Sequence, residues 1–535
     1  MVSLTDITWL KINCGLTASS TAFYFSIAGL VVTLLLLHYA YLYTYWSRRG
    51  IKGPAPIPLF GNMLEKLFYI VPDREVYYLK TYGRVYGFYE MTKPVLNIAD
   101  PELLKNIFVR DFNHLTDRRS RSDHRLVKHF LTSLRGDEWR RARNTLTPTF
   151  TSGKMKAMMP LMQGCVDLLE QAINDKGNQE VDVKRLFGCY TMDVIAKCAF
   201  ATDTNAHTER EGSYADIMRK FVSVSILRAL PLFFFPTKLL DKIGYTAQPP
   251  GTMEYMEQAV KQIIRQRRES GDKDRRDMLQ LLIEAAANVD HEQEDHQGDE
   301  PVDDNEKHHG HEVAASDSHR DTKFKKYLTE DEIVANTFLV LIAGYETTAT
   351  LLTYASYALA MNPQTQDKLR QEISDAFPDG KLNYETISSL PYLDAVTMES
   401  LRMYPPVVRV ERQVTRDYEI ESINQKFKVG DVIRIPVYAI HHSPDFYDQP
   451  ERFMPERFLP ENRDKLVPYT YLPFGAGPRN CIGMRFALLE AKMALAACLM
   501  KFRFVPCDKT PDRPDYSKAQ ILLTTTDIFL KIQKL

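Results

Sequence analysis

The residue best suited to chemistry is Cys481, which lies in the stretch FGAGPRNCIG, residues 474–483. A helical pattern follows it, roughly from Ile482 to Met500, so the thiol lies at the positive end of a helix, where its pKa is lowered. Three glycines leave room for a flat macrocycle to approach the backbone: Gly475, Gly477 and Gly483. Such a thiolate can ligate haem iron. A structural cysteine in a glycine turn is the alternative.

A second polar cluster interrupts a long apolar segment. Thr329 and Glu332 have capping-box spacing, and the segment after them continues to about Met361 as a predicted helix. In its middle stands AGYETT, residues 343–348. If haem lies against this helix, Ala343 and Gly344 make room for O2, a local widening of the helix frees backbone groups for water, and Glu346 and Thr347 relay protons. The alternative is a kinked helix whose threonine bonds back to an earlier carbonyl.

Two further pairs have the spacing of neighbours on one helical face. Glu399 and Arg402 are three residues apart on a predicted helix, Tyr392 to Met403, and can form an ion pair. Trp139 and Arg143 are four residues apart and offer an N–H and a cation to an anionic group.

These motifs resemble those of the cytochrome P-450 superfamily. The stretch that contains Cys481 resembles its cysteine-ligand loop, and residues 343–348 resemble its oxygen-activation motif. Glu399 and Arg402, with Arg457 in the segment FMPERF, resemble its structural Glu-Arg-Arg triad. Trp139 and Arg143 resemble its WxxxR helix. The likeness covers nearly the whole body, and segments such as residues 148–154 and 478–487 resemble animal microsomal family-3 enzymes and their thromboxane-synthase-like relatives.

The resemblance implies a cofactor and a set of residues around it. The cofactor is haem b, with Cys481 as the axial ligand of its iron. Residues that would bind or flank the haem, in addition to those at 475 and 483, are Phe474, Trp139, Arg143, Arg118, Arg412 and Arg479, the arginines being partners of the haem propionates. The triad would be structural: a buried pair lacking its third partner leaves uncompensated charge.

The resemblance also implies an activity, with two alternatives left open. The first expectation is a monooxygenase that inserts one oxygen atom of O2 into a lipophilic steroid, fatty acid or xenobiotic. Its electrons come from NADPH through NADPH-cytochrome P-450 reductase, with cytochrome b5 as a second donor. A haem-thiolate isomerase of lipid endoperoxides needs no proton delivery, and thromboxane synthases look altered at the alcohol position, whereas this chain keeps both Glu346 and Thr347. A tethered haem-binding protein without turnover is the third hypothesis.

Composition excludes several other classes. The chain has 535 residues, 44% of them hydrophobic, which is enough for a large core. A formal net charge of -1 argues against nucleic-acid binding. The seven cysteines are scattered and form no CxxC pair, so neither a disulfide framework nor a zinc site is indicated.

The N-terminal region predicts a membrane anchor. Residues 23–45 contain no Asp, Glu, Lys or Arg and are long enough to cross a bilayer as a helix. Tyrosines and Trp46 crowd its C-terminal end, and Arg48, Arg49 and Lys52 follow, which favours a cytosolic catalytic domain. A cleaved signal peptide is the alternative. The expected plan is a luminal segment 1–21, an anchor helix 22–46, a proline-rich linker 47–62 and a catalytic domain 63–535, in the endoplasmic reticulum membrane.

The predicted fold is mainly α with minor β. Strands are expected at Val85 to Glu90, Val95 to Ile98, Val432 to Ile440 and Ile521 to Ile532. Asp100 and Pro101 predict the start of a helix. Residues 288–322 are acidic and rich in histidine, which predicts a disordered insert rather than a metal site.

Family topology places the substrate cavity near residues 116–133, 338–347 and 406–410. The apolar run 227–235, broken by prolines, has two interpretations: it enters the membrane beside a substrate entrance, or it packs in the core.

Overall fold

The fold is mainly helical with three small sheets, as expected from the sequence. The computed structural model describes residues 4–120, 122, 124–204, 206–208, 217–218, 220–221, 228, 231–235, 237–270, 277–287, 328–516, 522–523 and 527–535. Its helices are α1 (Leu4–Tyr43), α2 (Glu65–Phe68), α3 (Val71–Tyr82), α4 (Pro101–Lys105), α5 (Gly136–Leu146), α6 (Ser152–Lys176), α7 (Val183–Phe200), α8 (Pro231–Phe234), α9 (Thr237–Lys242), α10 (Thr252–Ser270), α11 (Met278–Ala287), α12 (Glu330–Met361), α13 (Pro363–Ala376), α14 (Tyr384–Ser389), α15 (Pro391–Met403), α16 (Val437–His441) and α17 (Met484–Lys501).

Nine short strands are described beside these helices. They are β1 (Val85–Glu90), β2 (Lys93–Ile98), β3 (Glu180–Asp182), β4 (Val410–Gln413), β5 (Tyr418–Ile420), β6 (Gln425–Phe427), β7 (Val432–Ile435), β8 (Phe502–Pro506) and β9 (Phe529–Lys534). One sheet has the order β1-β2-β7-β4, a second β3-β9-β8, and β5 pairs with β6. Only β2 and β7 run parallel among these pairs, so most of the sheet is built from antiparallel strands.

Helix α12 crosses the core and starts as the sequence predicts. Thr329 caps it, and its hydroxyl and the Glu332 carboxylate form the reciprocal bonds of a capping box. Helix α7 packs closely against α12: a Cβ at Gly344 would lie 2.7 Å from the Ile195 side chain. The Thr191 hydroxyl donates to the Tyr345 carbonyl at 2.9 Å. Gly344 therefore has a packing role, because only a residue without a side chain permits this approach.

Several sequence-based boundaries agree with the structure and others do not. The hairpin β1–β2 and the Asp100 cap of α4, whose side chain accepts two backbone N–H bonds, are confirmed. The strand expected at 432–440 ends at Ile435, because Pro436 cannot continue the ladder, and helix α16 follows. The last strand starts at Phe529 rather than 521, and its partner β8 was not predicted. Strand β8 directly follows helix α17 without a turn signal.

The N-terminal helix is longer than the predicted anchor. Helix α1 already begins at Leu4, so the segment expected to precede the anchor is helical and continuous with it. By length and composition, two helices of the described residues could cross a membrane, 23–49 and 330–361. The second is mostly buried inside the protein and is the core helix α12. The first is 0% buried over its apolar window, as an anchor requires.

Trp46 joins the anchor to the catalytic body. Its ring is 4% exposed and lies against Gly87 in β1, where any Cβ would collide with the indole. The indole N–H donates to the Phe88 carbonyl at 3.2 Å. Tyr89 strengthens the joint, since its hydroxyl accepts the Trp46 backbone N–H and donates to the Tyr43 carbonyl. Trp46 was expected in an interfacial aromatic belt; the glycine notch instead buries it in protein.

The acidic, histidine-rich stretch 288–322 lies outside the described residues. Within the part of the chain that the structure describes, no group of three or more His, Cys, Asp or Glu side chains could hold a metal ion.

Replacing Trp46 tests this joint. Trp46→Ala removes a buried ring and its N–H bond, and we expect it to cost about 3–5 kcal/mol of unfolding free energy and to expose the linker to protease. Trp46→Phe keeps most of the apolar contact and should retain most of the stability. Thermal unfolding and limited proteolysis of the detergent-solubilised chain measure both effects. If protease cleaves Trp46→Ala within residues 47–58 no faster than it cleaves the wild-type protein, Trp46 does not hold the anchor to the catalytic body.

Candidate active site

The loop before helix α17 is shaped by its glycines. Gly475 and Gly477 have φ of 71° and 70°, a left-handed conformation that favours glycine. A Cβ at Gly477 would collide with the Phe108 carbonyl, so this glycine serves a close approach between backbones rather than to a macrocycle. The Cys481 N–H donates to the Phe474 carbonyl at 2.9 Å, which closes the loop. Gly483 is the N-cap residue of α17.

The electrostatics of Cys481 differ from the expectation of a lowered pKa. Burial raises the pKa of its thiol, against the lowering effects of the Gly483 backbone bond and of the Arg143 and Arg118 charges. The side chain is nevertheless exposed. An accessible thiol whose pKa is nonetheless raised by the surrounding protein fits a recess better than a flat surface. The helix end alone does not compensate for the desolvation; a metal cation would.

Three arginines lack a carboxylate partner among the described residues: Arg412 and Arg479 are buried, and Arg118 is partly buried. Each has at least one buried nitrogen without a hydrogen-bond partner. Their bonded nitrogens donate only to backbone carbonyls. Burial lowers the pKa of Arg412 well below its usual value, and Arg118 and Arg479 lower it further. Burial, followed by the Arg118 charge, lowers the pKa of Arg479 to about 9.

Trp139 and Arg143 on helix α5 contact the loop that contains Cys481. Arg143 donates to the Asn480 carbonyl at 2.9 Å and to its side-chain oxygen at 2.7 Å. The Trp139 ring lies under the Arg479 guanidinium, 4.5 Å from its centroid. Arg143 thus binds the residue before Cys481, and Trp139 orients one of the unpaired cations.

One stripe of helix α12 is left open. Most residues from Glu332 to Ala360 are buried, but residues 339, 340, 342, 343, 344 and 347 are only partly buried or exposed. Of these, Leu339, Val340, Ala343 and Thr347 are spaced by three and four residues and share one face of the helix. This accessible face is apolar except for Thr347.

The two polar residues on α12 have different surroundings. The Thr347 hydroxyl donates to the Ala343 carbonyl at 2.7 Å, the back-bond considered above, in an uninterrupted α-helix. The expected local widening is therefore absent, because the helical bonds continue through this turn. Glu346 is buried, and burial raises the pKa of its carboxyl group despite Lys184, whose Nζ lies 4.0 Å away.

Glu399, Arg402 and Arg457 form a compact charged cluster. Arg402 donates to both carboxylate oxygens of Glu399, at 2.7 and 2.9 Å, and neither side chain is exposed. Arg457 approaches the same carboxylate at 3.4 Å. The Met454 N–H provides a further bond at 2.8 Å. The arrangement predicted from spacing is present, and the buried carboxylate has a complete set of donors.

The residues present fit a haem. An accessible thiol lies in the loop before α17, and three cations without carboxylate partners among the described residues match the two propionates of that group. Sequence reasoning missed two participants, Asn480 and Lys184. Asn480 is adjacent to Cys481 and could have been suspected as a loop support. Lys184 had no signal, since its contact with Glu346 depends on the packing of α7 against α12.

Comparison with known proteins gives consistent results. The family model "Cytochrome P450" matches residues 51–532. The chain is 33% identical to Cytochrome P450 3A7 of Homo sapiens over 515 residues, covering 94% of this chain and 95% of that protein. It is 34% identical to Cytochrome P450 3A9 of Rattus norvegicus, with 94% and 95% covered. Cytochrome P450 3A5 of Homo sapiens is also 34% identical, with 90% and 91% covered.

Replacing Arg412, which has no carboxylate partner among the described residues, and Arg402, which has one, should change the unfolding free energy in opposite directions. Arg412→Met deletes a buried charge without a counterion, so we expect the haem-free protein to gain about 1–4 kcal/mol of unfolding free energy, while haem dissociates about tenfold faster. Arg402→Met is the matched control and should cost about 3–5 kcal/mol because it strands the Glu399 carboxylate. Thermal unfolding and haem transfer to an acceptor protein measure these changes. A destabilised haem-free Arg412→Met protein contradicts the assignment.

Proposed function

Since the chain belongs to the cytochrome P450 family, we propose that it is a membrane-anchored haem-thiolate monooxygenase that inserts one atom of O2 into a lipophilic substrate. The observation that carries the proposal is an accessible Cys481 thiol together with three arginines, Arg118, Arg412 and Arg479, that have buried, unbonded nitrogens and no carboxylate partner among the described residues. That the chain is a monooxygenase follows from the family; the substrate, electron donor and residue roles are our proposal.

The cofactor we propose is haem b, with Cys481 as its iron ligand. When bound, the haem supplies the activation of O2, with electrons from NADPH delivered by a reductase. Arg118, Arg412 and Arg479 hold its two carboxylates, which removes the unfavourable burial of three like charges. Arg143 holds the Asn480 backbone and side chain and so fixes the loop that carries the thiolate. Trp139 restricts Arg479 by stacking on it.

Glu346 and Thr347 deliver protons to the oxygen side of the cofactor. Burial raises the pKa of the Glu346 carboxyl group above its ordinary value, which suits this group to act as a proton donor. Lys184, about a quarter exposed, links it to solvent. Because the Thr347 hydroxyl donates to the Ala343 carbonyl, its lone pairs remain to accept a bond from a water molecule and orient it.

The substrate is proposed to lie along the open stripe of α12. Leu339, Val340 and Ala343 offer it an apolar wall with few polar groups, which favours a lipophilic molecule. Phe338, the residue before Leu339, is fully buried and packs against Phe130, with 5.9 Å between ring centroids. A steroid, a fatty acid or a lipophilic xenobiotic has this chemistry.

We place the protein in the endoplasmic reticulum membrane with the catalytic domain in the cytosol. Arginines follow the apolar span immediately, as at a cytosolic membrane boundary. Phe235, Leu239 and Ile243 around α9 are exposed apolar residues, which supports contact of this segment with lipid. NADPH-cytochrome P-450 reductase, and cytochrome b5 as a second donor, would reach the domain from the same side.

Rearrangement of a lipid endoperoxide is the alternative reaction. It consumes no electrons or protons, so it gives no role to the buried Glu346 or to Lys184 beside it. Purified protein that converts an endoperoxide without reductase, and oxidises no lipophilic substrate with it, would favour the isomerase.

Cys481→Ser tests the ligand. Serine is a poor ligand for haem iron in place of a thiolate, so the strongly red-shifted Soret band of the dithionite-reduced carbonyl complex should disappear. Cys498→Ser changes a buried cysteine of α17, the helix that follows the loop, and should keep the band. The absorption spectrum provides the measurement, and survival of the band in Cys481→Ser overturns the assignment.

Thr347→Ala tests proton delivery. Loss of the hydroxyl leaves water unordered, so we expect more hydrogen peroxide and less product per NADPH consumed, by roughly tenfold or more in their ratio. Thr353→Ala is the matched control, because Thr353 makes the same back-bond, to the Ala349 carbonyl at 2.6 Å, in a buried part of the helix. Equal coupling in wild-type and Thr347→Ala protein removes Thr347 from the mechanism.

A further inference from the structure

A fully buried histidine connects the charged cluster to the cysteine loop. His441 ends helix α16 and is 0% exposed. Its Nδ1 lies 2.9 Å from the Arg402 carbonyl, and its Nε2 lies 2.8 Å from the Leu472 backbone nitrogen. Its own carbonyl accepts a bond from the Arg402 guanidinium at 2.8 Å. Two bonds therefore hold His441 to Arg402, and one bond reaches the loop.

The partners fix one form of the imidazole ring. The Leu472 N–H can only donate, so Nε2 must be the acceptor and carry no proton. The Arg402 carbonyl can only accept, so Nδ1 carries the hydrogen. A neutral ring in this single tautomer satisfies both. Burial, together with the Arg402 and His442 charges, lowers the pKa of His441 well below its usual value and keeps the ring neutral.

The residue bound by Nε2 begins the turn that leads to Cys481. The Leu472 carbonyl accepts the Gly475 N–H at 3.0 Å, and the Phe474 carbonyl accepts the Cys481 N–H at 2.9 Å. The ring of Tyr471 stacks on His441, with 5.8 Å between centroids and 15° between planes. His441 thus holds the loop at the residue where it turns toward the thiol.

We propose that His441 is a positioning residue for the Cys481 thiolate, coupling residues 472–481 to the buried Glu399–Arg402 pair through its two ring nitrogens. This inference rests on the proposed function, since it requires Cys481 to be the iron ligand. The Glu399–Arg402 pair then affects the loop through the hydrogen bonds of His441, in addition to stabilising the fold. Without these bonds the loop shifts and thiolate ligation weakens.

The neighbouring histidine provides a matched control. His442 is also buried, and its Nε2 bonds to the carbonyl of Met403, the residue after Arg402, at 2.9 Å. Its Nδ1 lies 3.0 Å from the Glu451 carboxylate. It stacks on Tyr438, 4.1 Å between centroids. His442 therefore has the burial and the contact with the end of α15, and its hydrogen-bond partners include no residue of the loop.

The test uses the full chain with haem bound and compares four variants: His441→Phe, His441→Gln, His442→Phe and His442→Gln. Phenylalanine keeps the ring and its stacking but leaves the Leu472 N–H without a partner, whereas glutamine restores an acceptor oxygen and a donor amide. The readouts are the share of haem with the red-shifted Soret band in the reduced carbonyl complex and the rate of haem transfer to an acceptor protein. Thermal unfolding of each variant is measured in parallel.

We expect His441→Phe to lose most of the red-shifted band and to release haem about tenfold faster, with partial recovery in His441→Gln. The His442 variants should lower the unfolding temperature and keep the band. An unchanged band in His441→Phe, or losses that follow the unfolding temperature equally at both positions, overturns the proposal. If His441→Phe does not fold, His441→Gln is compared with His442→Gln. The proposal requires a smaller share of the red-shifted band in His441→Gln, and equal shares overturn it. Absence of the band in wild-type protein instead overturns the proposed function.

Discussion

The carboxylate of Glu399 is the buried charge on which the surrounding structure depends. It lies in a dry part of the core, where an uncompensated ion costs several kcal/mol, and it is stabilised only by a full set of donors. Arg402 provides two of them, and the Met454 N–H a third. Because Arg402 also binds the His441 and Pro450 carbonyls, helix α15 and the chain around residues 441–457 are held together at one point.

The arginines of the active site follow the opposite rule. After burial, the Arg118 and Arg479 charges lower the pKa of Arg412, and the Arg118 charge lowers the pKa of Arg479; none of the three has a carboxylate partner among the described residues. A protein does not gain stability from such a cluster. Our proposal explains its presence by an anionic group that the three cations bind together. On that proposal, stability and function are separated into two clusters, one electrically complete within the chain and one completed by a cofactor.

Different faces of helix α12 have different surroundings. Gly344 allows α7 to pack at close range, with Thr191 bonded to the backbone at Tyr345. The face of Ala343 and Thr347 stays open, and Glu346 is turned toward Lys184. Adjacent residues in one short motif therefore have different surroundings, and the proposed function assigns them to packing, proton supply and the substrate space. A helix permits this because successive residues point about 100° apart.

Sequence alone determined the chemistry that local spacing encodes. The cysteine loop, the capping box of α12, the hairpin β1–β2 and the pairing of Glu399 with Arg402 depend on residues a few positions apart, and turn and helix geometry is predictable at that range. Tertiary structure decided what depends on burial and distant neighbours. It raised the pKa of Cys481, buried Trp46 against Gly87, directed Arg143 to Asn480 and brought His441 to Leu472. Desolvation and contacts between remote segments arise only when the chain is packed, so no local pattern contains them.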